Sequence, residues 1–249
     1  MSPADFAAFA ETLADAARAV TLGAVDRVAE NKNDDGTFDP VTAADRAAER
    51  VIRALIEQAF PDHGIAGEEY GVMEGAGRHV WSLDPIDGTR AFICGLPSWT
   101  TLIALLDRGQ PVVGLIDVPA LEERYLGYAG AGGLKASDCR SLNEARASTT
   151  DPYLFAGAEA ESFERLRRTA RLTRYGYDAY AYARLAAGSI DLVAESGLKP
   201  HDYNALIPVV RAAGGVIGNW RGEDDFTDGQ VLAAATPELF EEAVRVLRV

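Results

Sequence analysis

The segment WSLDPIDGTRAF, residues 81–92, ends an apolar run with two carboxylates three residues apart, followed by glycine and threonine. Asp-Gly is a common turn dipeptide, so Asp87-Gly88 alone predicts only a turn. The alternative is that Asp84 and Asp87 hold metal ions while the backbone N–H groups that follow, at Gly88 and Thr89, hold a phosphate. Residues elsewhere in the chain must distinguish these two interpretations.

Further carboxylates stand where predicted helices and strands begin or end, at Asp45, Glu68-Glu69 and Asp202. Two like charges about 4 Å apart repel by about 4 kcal/mol at an effective dielectric of 20, so such a cluster would need cations. A set of oxygen ligands, with no need for cysteine or histidine, suits Mg²⁺ or Mn²⁺ rather than Zn²⁺. Two such ions that share a carboxylate form the clamp used for in-line displacement at phosphorus.

Taken singly, these residues also fit ordinary structural roles. Asp45 fits a residue of a helix cap, and Asp202 fits an N-cap. Glu68-Glu69 fits a solvated loop. Only their combination supports a functional hypothesis.

Composition and charge exclude several classes of function. The 249 residues are 48% hydrophobic and 25% charged, as in globular proteins. A formal net charge of −14 argues against binding of nucleic acid or anionic membranes through a basic surface. No apolar run approaches the roughly 20 residues of a membrane span, and the acidic N-terminal region does not resemble a signal peptide, so we expect a cytoplasmic protein. No metal-type spacing is found among Cys94, Cys139, His63, His79 and His201.

Helices and short strands are predicted for the first half of the chain. Apolar periodicity predicts a helix over about residues 3–29, followed by a polar loop over 31–40. A second helix is predicted to begin at Thr42, with Asp45 completing a capping box. Strands are predicted over 79–84, 99–107, 111–118 and 123–130, the middle two joined by a turn at 108–110.

In the second half of the chain, predicted helices and predicted strands alternate. Gly188 is predicted to end one helix in the left-handed conformation, and Thr236-Pro237 to begin the last helix. Early grouped strands and later alternation predict an α/β fold of layered helices and sheets in two subdomains, residues 1–147 and 148–249. The other predicted elements are strands over 153–158, 191–196, 216–220 and 231–235 and helices over 161–172, 178–188 and 202–215.

The order and spacing of these motifs resemble those of the inositol-monophosphatase-like family of Mg²⁺-dependent, lithium-sensitive phosphatases. LDPIDGT, residues 83–89, matches the family motif D-P-[IL]-D-G-T, and Gly67-Glu68-Glu69 precedes it. LKPHDYNALIPVVRAAGG, residues 198–215, matches a second family pattern, an acidic residue before a helix that ends in Gly-Gly. The resemblance covers essentially the whole chain. It implies the αβαβα sandwich of the inositol-monophosphatase/fructose-1,6-bisphosphatase type.

The resemblance also implies a ligand set for two or three Mg²⁺ ions, with Mn²⁺ as an alternative. One ion would be held by Glu68, Asp84 and the carbonyl oxygen of Ile86. Asp84 would be shared with a second ion, which Asp87 and Asp202 would complete.

The resemblance implies catalytic and phosphate-binding residues as well. Asp45 and Thr89 would orient and activate the attacking water, with Glu68 counted among the catalytic residues. Gly88 and Thr89 would offer backbone N–H groups to the phosphate, and Glu69 would support the metal site.

The implied substrate is L-histidinol phosphate. Residues 89–105, 148–155 and 174–200 resemble the histidinol-phosphatase branch of the family more than its inositol branch. Histidinol phosphate carries an ammonium and an imidazole, which carboxylates would bind favourably. Asp178 and Glu195 match positions at which the family contacts the body of the substrate.

Alternatives remain open on the residues alone. Glu195 could bind hydroxyl groups, which would suit inositol 1-phosphate, a sugar phosphate or a nucleotide 3′-phosphate, and a non-catalytic metal-binding protein is a third possibility. His201 and Tyr177 depart from the family pattern, which usually has Trp or Tyr and often glycine there, and Lys32 is assigned no role. The resemblance implies a homodimer acting on a small phosphate monoester, whereas the net charge and the lack of a long apolar run predict no nucleic-acid or membrane partner.

Overall fold

The computed structural model of the protein describes residues 1–24, 27–32 and 40–248. Within these residues the chain forms eight helices and thirteen strands. The helices are α1 (Pro3–Gly23), α2 (Ala43–Ala59), α3 (Thr89–Ile93), α4 (Ala158–Thr169), α5 (Tyr180–Ala186), α6 (Pro200–Tyr203), α7 (Leu206–Ala212) and α8 (Pro237–Leu247). The strands are β1 (Ala29–Asn31), β2 (Pro40–Thr42), β3 (Gly64–Gly67), β4 (Gly71–Met73), β5 (His79–Asp87), β6 (Thr100–Asp107), β7 (Gln110–Val118), β8 (Glu123–Tyr128), β9 (Arg146–Thr149), β10 (Leu172–Tyr175), β11 (Leu192–Glu195), β12 (Val216–Gly218) and β13 (Val231–Ala234).

Two large sheets organise the described chain. The first has six strands in the order β4-β3-β5-β6-β7-β8, antiparallel except for the parallel pair of β3 and β5. The second has five strands in the order β10-β9-β11-β13-β12, with β9 parallel to both of its neighbours. A small antiparallel pair, β1 and β2, precedes α2.

Helices and sheets alternate in five layers, which confirms the predicted αβαβα sandwich. Helices α1 and α2 cover the outer face of the six-stranded sheet, α5 and α7 lie between the sheets, and α4 and α8 cover the outer face of the five-stranded sheet. Strand β6 has two buried faces: Leu102 and Ala104 pack between the sheets, whereas Ile103 and Leu105 pack under α1 and α2. Burial on both faces explains the continuous apolar run of this strand. No helix of the described residues is long and apolar enough to cross a membrane. The boundary between residues 147 and 148 stays a prediction.

Several predicted helix boundaries are confirmed. Thr42 caps α2 and forms both hydrogen bonds of a capping box with Asp45. Thr236 caps α8, with Pro237 at its first position. Gly188 has the predicted left-handed conformation after α5, with φ of 76°. These signals are local, so they hold whatever the tertiary structure.

Other predicted elements are wrong. Helix α1 ends at Gly23 instead of residue 29, and the chain then forms β1. The strand predicted over 153–158 is absent from the described residues; Asp151 accepts a hydrogen bond from the Tyr153 amide (2.9 Å) and begins a single 3₁₀ turn instead. The helix predicted over 202–215 is divided into α6 and α7, and β3, β4, β9 and β10 were not predicted. These strands have three or four residues each, too few to show a clear alternation.

A buried ion pair fastens α1 to the six-stranded sheet. Asp117 of β7 is fully buried and accepts two hydrogen bonds from the Arg18 guanidinium, at 2.6 and 3.0 Å. The Arg124 guanidinium of β8 donates a third at 2.8 Å. Since α1 packs against α2, this ion pair also supports the helix that carries Asp45.

We therefore expect Asp117→Asn to lower the free energy of unfolding by about 3 kcal/mol, because it leaves the partly buried Arg18 guanidinium without its paired carboxylate and removes one of the two carboxylates paired with Arg124. Urea denaturation followed by circular dichroism would measure this change. Glu164→Gln, which removes an exposed carboxylate paired with Arg167 and Arg168, is the control and should leave the midpoint nearly unchanged. A midpoint for Asp117→Asn equal to that of the control would contradict the role of this ion pair.

Candidate active site

A β-bulge in β5 brings its two aspartates to the same side of the sheet. Asp84 is paired with Leu102 and Asp87 with Thr100, so three steps along β5 match two steps along β6. Residues three apart on a regular strand point to opposite faces, and one extra residue reverses this relation. Pro85, which has no N–H to donate, lies within the bulge, where a missing ladder hydrogen bond is tolerated.

Asp202 joins these two residues from the other end of the chain. Carboxylate oxygens of Asp84, Asp87 and Asp202 all lie within 4.8 Å of one another. Asp202 is the third residue of α6, and its side chain accepts a hydrogen bond from the Lys199 amide at 2.7 Å. Lys199 is therefore the N-cap residue of α6, and the N-cap interpretation of Asp202 is wrong by three residues.

Burial and mutual repulsion raise the pKa of these carboxyl groups. The pKa of Asp84 is raised well above its ordinary value by burial and then by Glu68, Asp87 and Asp202. The pKa of Asp87 is likewise raised by burial and by neighbouring carboxylates, although the Ala179 amide donates to it at 2.8 Å. A set of oxygen ligands whose repulsion a divalent cation would relieve fits a metal ion that prefers oxygen ligands.

Glu68 lies in the turn after β3, beside this cluster. Its amide donates to the Leu83 carbonyl of β5 at 3.1 Å, which holds the turn against the strand that carries Asp84. The Lys32 ammonium lies 2.8 Å from the Glu68 carboxylate and 2.5 Å from that of Glu69. Burial alone would raise the pKa of Glu68, but Lys32 more than offsets this effect and the pKa is lowered. Lys32, to which the sequence assigned no role, thus pairs with both of these carboxylates.

Asp45 serves as a cap with one oxygen and leaves the other available. Its Oδ2 accepts hydrogen bonds from the Thr42 amide (2.8 Å) and the Thr42 hydroxyl (2.5 Å). Its Oδ1 is buried and has no hydrogen-bond partner in the described part of the chain. A buried carboxylate oxygen without a donor costs free energy, so this atom is suited to accept a hydrogen bond from a water molecule. The capping and catalytic interpretations of Asp45 are therefore compatible.

Gly88 and Thr89 connect the bulge to α3. Gly88 has φ of 80°, and a Cβ at this position would lie 2.8 Å from the Asp178 carboxylate, so no larger residue fits without a shift. The Thr89 hydroxyl donates to the Ile86 carbonyl at 3.0 Å. The carbonyl predicted to bind metal and the hydroxyl predicted to orient water are thus direct neighbours.

A cleft of about 180 Å³ opens beside the cluster. Its lining includes Asp87 and Asp202 together with both predicted substrate-binding residues, Asp178 and Glu195. The pKa of Asp178 is raised to about 6 by burial, an effect that Arg90 partly offsets and Asp202 increases. The cleft is therefore strongly acidic next to the candidate metal ligands.

Two buried residues, Glu195 and Tyr182, belong to the lining of this cleft. Glu195 accepts hydrogen bonds from the Thr150 amide (2.7 Å), the Thr150 hydroxyl (3.0 Å) and the Thr149 hydroxyl (3.0 Å). Burial nevertheless raises the pKa of Glu195 to about 7. The Tyr182 hydroxyl is buried and has no hydrogen-bond partner among the described residues.

The structure brings most of the predicted site residues to one region. Asp84, Asp87 and Asp202 form the compact cluster, whereas Glu68 joins it as an electrostatic neighbour. Two residues of this region were not predicted from the sequence: Tyr182 and the buried Glu49, which binds the turn carrying Glu68. Only Glu49 had a sequence signal, because it follows Asp45 by one helical turn on the same helix face.

Comparisons with known proteins give matches over most of the chain. A model of the inositol monophosphatase family matches residues 2–248. The chloroplastic bifunctional phosphatase IMPL2 of Arabidopsis thaliana is 44% identical over 211 residues, which cover 82% of this chain and 61%, less than two thirds, of the plant protein. A histidinol-phosphatase of Chlorobaculum parvum is 36% identical over 82% of this chain and 81% of its own. The solved structure of an inositol monophosphatase from Zymomonas mobilis superposes with a TM-score of 0.87 at 36% identity and covers 100% of both chains.

We expect Asp84→Asn to stabilise the metal-free protein although it removes a candidate ligand. Loss of about 1–2 kcal/mol of repulsion within the cluster should raise the Tm at pH 8 in EDTA by about 4 °C. Differential scanning calorimetry would measure the shift.

The pH dependence of this effect has a defined sign. The raised pKa of Asp84 means that the folded state retains a proton that the unfolded state has lost, so the wild type loses stability as the pH rises between the two pKa values. The advantage of Asp84→Asn should therefore be larger at pH 8 than at pH 5. A variant less stable than the wild type in EDTA at both pH values would contradict the electrostatic interpretation.

Proposed function

The chain belongs to the inositol monophosphatase family and is a phosphoric monoester hydrolase, and we propose that it hydrolyses L-histidinol phosphate to L-histidinol and phosphate with Mg²⁺ as cofactor. Histidine biosynthesis would be the corresponding process. The alternative is inositol 1-phosphate, a sugar phosphate or a nucleotide 3′-phosphate at the same site.

The observation that carries the proposal is the acidic cleft. Asp178 and Glu195 lie beside the candidate metal ligands, where the organic part of a bound phosphate monoester would be placed. Their pKa values, raised to about 6 and about 7, show that negative charge in this cleft is poorly solvated. A cationic substrate would relieve that cost, whereas a neutral polyol would leave it in place. Histidinol phosphate provides an ammonium and a protonatable imidazole.

The ligand set proposed for the metal is supported by the cluster of Asp84, Asp87 and Asp202 and, for the remaining ligands, by the family resemblance. Asp84, Asp87 and Asp202 would hold one ion, and Asp84, Glu68 and the Ile86 carbonyl a second, with Mn²⁺ as an alternative to Mg²⁺. When bound there, a divalent cation would polarise the phosphate and lower the pKa of a water ligand.

The residues around the metal site would provide the remaining functions. The free Oδ1 of Asp45 would accept a proton from the attacking water, which the Thr89 hydroxyl would help to orient. The backbone N–H groups of Gly88 and Thr89 would bind phosphate oxygens, because the glycine allows close approach of the backbone.

Three finer parts of the proposal go beyond the geometry of the site. A complement of two or three metal ions and a homodimeric assembly rest on the family resemblance, whereas a cytoplasmic location is the expectation from the sequence pattern. Sedimentation equilibrium would test the assembly directly, since a monomer mass at micromolar concentration would contradict the homodimer.

Phosphate release with Mg²⁺ should favour histidinol phosphate over inositol 1-phosphate at least about a hundredfold in kcat/KM, which corresponds to about 2.7 kcal/mol of transition-state discrimination. Asp84→Asn serves as the blank. Equal or reversed rates would contradict the substrate assignment and leave the phosphatase chemistry intact.

A matched pair of variants connects this preference to the cleft. Glu195→Gln removes a charge from the cleft and should reduce the preference by about tenfold, the effect of roughly 1.4 kcal/mol. Glu161→Gln removes an exposed charge on α4 and should leave the preference unchanged. An unchanged preference for histidinol phosphate in both variants would indicate that Glu195 does not select the cationic substrate.

A further inference from the structure

One buried carboxylate of α2 holds the turn that carries Glu68. Glu49 is fully buried, and its Oε2 accepts a hydrogen bond from the Glu69 amide at 2.7 Å. Its Oε1 accepts from the Tyr70 amide at 3.2 Å and from the Arg53 guanidinium at 2.7 Å. Both oxygens of the carboxylate are therefore engaged, and two of their partners are backbone groups of the residues that follow Glu68.

Gly67 shows how closely the turn approaches this carboxylate. A Cβ at residue 67 would lie 2.0 Å from Glu49 Oε1 and 2.8 Å from Oε2. The absence of a side chain therefore allows the backbone to pass directly over the carboxylate. The glycine of the Gly67-Glu68-Glu69 motif is explained by Glu49, a residue outside the motif.

The same helix carries the proposed water-activating group. Asp45 and Glu49 are four residues apart, so they share a face of α2, and both are buried. The Arg53 guanidinium also donates to the Gly71 carbonyl, and the Arg50 guanidinium donates to the Tyr70 hydroxyl. Helix α2 therefore positions both the Asp45 carboxylate and the turn that carries Glu68, through side chains on successive turns of the helix.

We propose that Glu49 is a positioning residue for the metal site: it fixes the turn so that the Glu68 carboxylate faces Asp84. The inference rests on the proposed function, in which Glu68 is a metal ligand. Glu49 itself touches neither substrate nor metal in this account. It acts through the Glu69 and Tyr70 amides.

Glutamine is the informative substitution at this position. A carboxylate can accept at both oxygens, whereas a carboxamide has one acceptor oxygen and an NH₂ group. In Glu49→Gln the NH₂ group would face either a backbone N–H or the Arg53 guanidinium, so one donor loses its partner while the side-chain volume is kept. Removal of such outer partners of metal ligands typically weakens metal binding about 10–100-fold.

Isothermal titration with Mn²⁺ of the full-length protein tests the inference without any measurement of turnover. Glu49→Gln should bind Mn²⁺ about 10–100-fold more weakly than the wild type. Glu57→Gln, two turns further along α2 at an exposed position, is the matched control and should bind like the wild type. In assays, Glu49→Gln should need more Mg²⁺ for half-maximal activity but retain most of its kcat at saturating metal.

Hydrogen exchange provides a readout that a general loss of stability would not reproduce. The Glu69 and Tyr70 amides should exchange faster in Glu49→Gln, whereas amides in β6 and β7 keep their protection. Gly67→Ala, which forces the turn away from the carboxylate, should weaken Mn²⁺ binding similarly and serves as a second variant if Glu49→Gln does not fold.

The outcomes separate this inference from the proposed function. If the wild type binds Mn²⁺ and both Glu49→Gln and Gly67→Ala bind it with the same affinity, the positioning role alone would be overturned. A wild type that binds no Mn²⁺ would overturn the metal-dependent mechanism and, with it, the inference. A folded Glu49→Gln with weaker binding and faster exchange at residues 69 and 70 would support it.

Discussion

The repulsion among closely spaced carboxylates is the constraint on which the rest of the structure depends. Asp84, Asp87 and Asp202 place oxygens within 4.8 Å of one another, with burial and repulsion raising the pKa of all three. Such an arrangement is unfavourable in a metal-free protein, so the surrounding fold must hold it in place. A divalent cation bound among these carboxylates would relieve the repulsion.

Three separate parts of the fold hold the cluster together. The bulge of β5 turns Asp84 and Asp87 to one side, and the first turn of α6 presents Asp202. The turn after β3 adds Glu68, and α2 supports that turn from outside. The six-stranded sheet that contains β5 is buried on both faces, so packed side chains surround the strand that carries Asp84 and Asp87.

The sequence predicted the parts of the site that depend on local chemistry. Asp84, Asp87, Gly88 and Thr89 follow from a short motif, and the Thr42 cap follows from residue spacing. The bulge could not be predicted, because it depends on the register between β5 and β6. The strand predicted over 153–158 failed because the Asp151 side chain stabilises a turn in an otherwise apolar segment.

The central claim is that the acidic cluster is a site for divalent cations. Anomalous diffraction from crystals of the wild-type protein grown with MnCl₂ tests it most directly. We expect a strong anomalous peak coordinated by Asp84, Asp87 and Asp202, and a second between Asp84 and Glu68. The absence of any peak at the cluster under saturating Mn²⁺ would contradict it.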